Sequence, residues 1–77
     1  MTEFKFQDPH TLVIFDAVDK DGKTKSWIGE LGPSTTLARS GWTSATLKPG
    51  DRVFAQGSQA HDPSSTEVNL RTIRRLP

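Results

Sequence analysis

The chain has 77 residues, with ten Lys and Arg against nine Asp and Glu, two His and no Cys. This length accommodates one domain, residues 1–77, whose small core takes about 60% of the unfolded surface out of water and supports a stability of roughly 5 kcal/mol or less. The lack of cysteine excludes disulfide frameworks and thiolate zinc sites, and a net charge of +1 is too small to point to nucleic acid.

No apolar run approaches the ~20 residues that span a bilayer. The opening residues, Met1 to Phe6, carry neither the apolar segment nor the cleavage site of a secretory signal. Charge is unevenly spread: residues 1–30 hold four basic and six acidic side chains (−2), and residues 31–77 hold six and three (+3). An asymmetry of this size is ordinary for a solvated surface.

In chain order, Phe4 and Phe6 share one face with Glu3 and Lys5 opposite, the period of two of a short first strand. The run Gln7-Asp8-Pro9-His10 interrupts it, because Pro cannot donate to a ladder and restricts the residue before it. Residues 11–15, Thr-Leu-Val-Ile-Phe, are β-branched and apolar on both faces, which suits a strand covered on each side. Asp16, Asp19 and then Lys20-Asp21-Gly22-Lys23 follow, and Asp-Gly between alternating strands is a hairpin signal. Residues 24–31 form the third strand, with Trp27 and Ile28 on opposite faces and Gly29 marking a bulge or a close backbone approach.

A short helix over residues 34–40 comes next. Pro33 is pre-organised for its first position, Gly41 supplies a left-handed stop, and Trp42 stands where a Schellman-type cap makes its hydrophobic contact. Leu37 and Trp42 are expected to plug one end of a barrel. A further short turn is expected over residues 43–47. Lys48-Pro49-Gly50-Asp51 has the signature of a type II turn, with Gly at the positive-φ position. Residues 52–60 read as the fourth strand, 61–66 as a loop and 67–73 as the fifth strand. Val68 and Leu70 face one way and Ile73 falls out of phase, as at a bulge or a strand end.

Five strands with a helix after the third predict a mainly β fold, a small five-stranded OB-like β-barrel with one short α-helix between strands 3 and 4. In that fold the loops joining strands one to two and four to five flank the binding face. Both histidines fall in those loops, His10 beside Asp8 and His61 beside Asp62. Imidazole with carboxylate suits a divalent metal such as zinc, copper or nickel, or else a small ligand. The structural alternative is that Asp and Pro are there to shape turns, with Asp8 and Asp62 closing Asx-turns.

Other chemistry is sparse. Ser34, Ser40, Ser44 and Ser58 have no His with an orienting acid near in sequence, and Gly29, Gly32 and Gly41 form no phosphate-cradling loop. The chain reads as a non-enzymatic binding or accessory module with no cofactor beyond such a metal. The alternatives are an interaction domain pairing through an exposed sheet edge and, behind it, a binder of single-stranded nucleic acid. The last would stack bases on Phe4, Phe6, Trp27 or Phe54 and use Lys25, Arg52, Arg71, Arg74 and Arg75 for phosphates. Against it, the core needs those aromatics.

Several motifs together resemble a family of small exported bacterial proteins of unassigned function, over residues 3–76. They are Asp8-Pro9-His10, Asp21-Gly22-Lys23, Trp27, Gly32-Pro33, Leu37, Arg39, Gly41-Trp42 and Leu47-Lys48-Pro49-Gly50-Asp51. Gly-Trp followed at this spacing by Leu-Lys-Pro-Gly-Asp is the most specific. The resemblance implies a periplasmic β-barrel domain with no established activity. Members of that family usually carry a signal peptide and a His-His-Ser-Phe-like segment ahead of the first strand, and this chain contains neither. A shortened first strand is expected to leave a sheet edge open, which favours pairing between chains; the chain is expected to be a monomer or a weak homodimer.

Overall fold

The computed structural model describes residues 1–18, 21–59, 61–62 and 64–77. Its elements are β1 (Glu3–Lys5), β2 (Thr11–Val18), β3 (Thr24–Leu31), α1 (Ser34–Ala38), β4 (Val53–Gln59) and β5 (Glu67–Arg75). Among the described residues the strands form one sheet in the order β1-β2-β3-β5-β4. Every neighbouring pair is antiparallel except β3 and β5, which run parallel. The connection between these two carries the helix and β4, since parallel strands cannot be joined by a tight turn.

The expected closed barrel is corrected to an open sheet. β1 is too short to close it: its register reaches only from Leu12 to Ile14 of β2, and β4 forms the other edge. The edges meet at one point. The Met1 ammonium donates to the Asp51 carbonyl (2.7 Å), and the Gly50 N–H donates to the Met1 carbonyl (2.8 Å).

The inner face of the curled sheet holds the core. Val13, Leu47 and Ile73 are buried, with Met1, Phe4, Phe15, Leu31, Trp42, Val53, Ala55 and Leu70 packed around them. On β2, Thr11 and Val13 are buried while Leu12 and Ile14 are half-buried, so the outer face is only partly covered rather than sealed as the apolar run suggests. The side chain that plugs the sheet is Leu47, 2% exposed, together with Trp42. Leu37 lies outside this cluster.

Local sequence explains most elements. The β2–β3 register runs unbroken from Thr11↔Leu31 to Val18↔Thr24, and Gly22 takes φ 80° beyond it. The other expected hairpin residues, Asp19 and Lys20, lie outside the described residues, as do Ala60 at the expected end of the fourth strand and Pro63 of the following loop. Gly29 is a close approach and not a bulge, because a Cβ there would overlap the Leu70 side chain. The helix ends in the expected Schellman pattern: Trp42 N–H donates to the Leu37 carbonyl (3.1 Å), Gly41 N–H donates to that of Ala38 (3.0 Å), and Gly41 has φ 93°.

β5 continues to Arg75, two residues past the expected end. A register shift explains the phase of Ile73, since Gln56 pairs with Thr72 while Gly57 pairs with Leu70. Arg71 is the extra residue, and its insertion returns Ile73 to the face of Leu70.

Candidate functional site

The β1–β2 loop is fastened to the start of the helix. Pro33 is the helix N-cap, not its first residue, and has no side chain able to cap. Asp8 supplies the missing carboxylate from across the fold. Its Oδ1 accepts from the Ser34 hydroxyl (2.9 Å), the Thr35 N–H (3.2 Å) and the Thr35 hydroxyl (3.4 Å). The Ser34 N–H donates to the Gln7 carbonyl (3.1 Å). The Ser34 hydroxyl foremost, and then the Thr35 N–H, hold the Asp8 carboxyl below its ordinary value of 3.8. Asp8 is therefore committed to a cap on another element and not to an Asx-turn of its own.

His10 follows this anchored loop and reaches β3. Its Nδ1 stands 3.0 Å from Glu30 Oε1. The Nδ1 N–H donates to that carboxylate, and Nε2 is the ring's second polar atom. Register places Leu12 beside Glu30 and Glu30 beside Asn69, so His10, Leu12, Glu30 and Asn69 share the outer face of the sheet. A groove of ≈ 530 Å³ runs past them around the end of β3, lined by Pro9, His10, Glu30, Leu31, Gly32, Pro33, Asn69 and Leu70. It combines apolar walls with three convergent polar groups.

His61 and Asp62 occupy a different place. Asp62 Oδ1 accepts from the Ser64 hydroxyl (2.7 Å) and the Ser64 N–H (2.9 Å), an Asx-turn within its own loop. Those two bonds, the hydroxyl first, lower its carboxyl from 3.8. The loop joins β5 where the Thr66 carbonyl accepts from the Ile28 N–H (2.9 Å), whereas Thr11 N–H, next to His10, donates to the Gly32 carbonyl (3.1 Å). The second loop thus reaches β3 at Ile28, within the strand, and the first just past its last residue, Leu31. Among the described residues there is no group of three or more His, Cys, Asp or Glu placed to hold a metal ion.

The basic residues are likewise divided. Lys25 Nζ lies 5.3 Å from the Trp27 ring centroid, near the start of β3. Arg74 and Arg75 pair with Phe54 and Val53 at the far end of β5, and the Arg52 carbonyl accepts from the Leu76 N–H (2.7 Å) beside them. The Arg74 guanidinium covers the Phe54 ring at 5.0 Å, and Arg71 occupies the bulge. Phe4 and Trp42 are tilted against each other (6.2 Å) in the core, with Phe6 beside Phe4 (5.9 Å). Glu30 and Asn69 were missed as site candidates. They come from separate strands, and only the parallel β3–β5 register sets them side by side.

Fold and groove together define a small, open, five-stranded β domain with one short helix. Residues 1–69 match a family of unknown function, DUF6152, and the chain belongs to that family. No curated protein and no solved structure matches it. No described helix is long and apolar enough to cross a membrane.

Proposed function

We propose that this domain is a non-enzymatic binding module that holds a small, partly apolar ligand in the groove beside the β1–β2 loop. The observation that carries this reading is the His10–Glu30 pair, which lines a groove that also contains Asn69. A ligand donor would meet Nε2, and the Asn69 amide would recognise a carbonyl or hydroxyl. Pro9, Leu31, Pro33 and Leu70 would cover the apolar part. Anchoring of the loop by Asp8 supports the reading, because a pre-organised wall loses little entropy on binding.

The proposal includes an OB-like ancestry for the sheet, with one seam left open. The helix between the third and fourth strands and the parallel β3–β5 pair support it. In such barrels the face of the second and third strands and the adjoining loop take the ligand. A periplasmic setting, as the family resemblance implies, belongs to the same proposal.

The test is a fragment screen by amide and imidazole NMR, with zinc as a separate arm. Fragments that move His10, Glu30 and Asn69 together, and lose affinity in His10→Ala and Glu30→Gln, are the expected result. Stoichiometric zinc that moves His10 and His61 together would replace the organic ligand with a metal. Shifts confined to other faces would overturn the reading.

A further inference from the structure

The His10 groove borders a second cavity. That cavity measures ≈ 300 Å³ and is lined by Glu30, Glu67, Val68 and Asn69, so the two share Glu30 and Asn69. Register explains the junction. Glu30 stands beside Asn69 and Ile28 beside Glu67 on the parallel strands, which sets Glu30, Glu67 and Asn69 on one face of the sheet. Two bonds fix the start of β5 there: the Ile28 N–H donates to the Thr66 carbonyl (2.9 Å), and the Glu67 N–H donates to the Ser65 hydroxyl (3.2 Å). Met1 and Leu76 bond to Asp51 and Arg52, ahead of β4, whereas Asn69 pairs with Ser58 near the end of that strand, so this surface is remote from both.

The charge along the combined surface is one-sided. Glu30 and Glu67 line it, and among the described residues no Lys or Arg does. Arg71, two residues from Asn69, is carried by the bulge and lines neither cavity. His10 engages Oε1 of Glu30, while Glu67 makes no ion pair among the described residues. Two carboxylates on neighbouring strands repel one another, and a cation between them removes that repulsion while gaining both attractions. An anion meets the opposite. The adjoining groove supplies apolar walls in Pro9, Leu31, Pro33 and Leu70.

We propose that the ligand of this groove is a small amphipathic amine, its ammonium held between Glu30 and Glu67 and its apolar body laid along the groove. The inference rests on the groove being a ligand site and adds the sign of the charge that the site takes. The two carboxylates and the oxygen of the Asn69 amide supply an acceptor for each ammonium N–H, and bonds between ionised partners are the strong ones. Both carboxylates are partly open to solvent, so their preference for a cation is screened by salt.

The test compares phenethylamine, phenethyl alcohol and hydrocinnamate, which share one apolar body and differ in charge, by NMR titration of the His10, Glu67 and Asn69 signals. The amine is expected to bind about fivefold more tightly than the alcohol, the scale of a solvent-exposed ion pair, and the carboxylate most weakly. Glu67→Gln, which keeps the shape of the side chain, is expected to reduce the amine's advantage and leave the alcohol's affinity unchanged. Added salt should narrow the same gap. Equal binding of amine and alcohol at these signals overturns the charge assignment and leaves the groove reading intact, as does an amine preference that survives Glu67→Gln in full. Shifts at His10 and Asn69 from none of these compounds overturn both.

Discussion

At Gly57 the chain has no room for a methyl group: a Cβ there would run into the Asn69 carbonyl, which is backbone and cannot step aside. At Gly29 the obstacle is the Leu70 side chain, which can change rotamer. Gly57→Ala is therefore expected to destabilise by more than Gly29→Ala, with overpacking costs of about 1–3 kcal/mol setting the scale. Paired urea melts check the order, and equal losses would count against the close approach at the bulge. Asp8 gives a pH-dependent counterpart. Its carboxyl is lowered from 3.8 in the fold, so the stabilisation it lends is complete above that value and is lost as pH falls through the lower, folded one. The Tm gap between the protein and Asp8→Ala should hold steady from pH 7 to 5 and shrink as pH drops below 3.8. A gap that widens on acidification would contradict the capping role.

Among the elements, local chemistry made the turns and caps readable. Gly41 and Gly50 take φ 93° and 94°, and the β3 bounds agree with those expected. Ile73 out of phase announced a bulge, although only the register identifies Arg71 as the inserted residue. The plug was not readable, because Leu37 sits on a helix pattern and Leu47 in an irregular turn, where periodicity carries no information. Leu47→Ala is expected to cost about 2–5 kcal/mol, comparable with the whole stability of so small a domain, while Leu37→Ala costs much less. Circular dichroism melts of the two variants distinguish them. The candidate site was half visible: His10 stood out by type, yet Glu30 and Asn69 needed a non-local parallel pairing. Asp8 and Asp62 had plain structural partners that distant and neighbouring hydroxyls supply.

For the molecule as a whole, an open sheet with few buried side chains leaves both a groove at the end of β3 and a seam between its edges. Closure would bury the edges of β2 and β4, whereas the His10 groove would persist. The state of the seam is thus the central claim. Amide hydrogen exchange on the free monomer tests it most directly. The open sheet predicts rapid exchange at Asp16, Val18, Val53 and Ala55, beside slow exchange at Phe15 and Ala17, which the β2–β3 ladder holds. Uniformly slow exchange along both edges, at dilutions where the chain is monomeric, would mean a closed barrel and contradict the account.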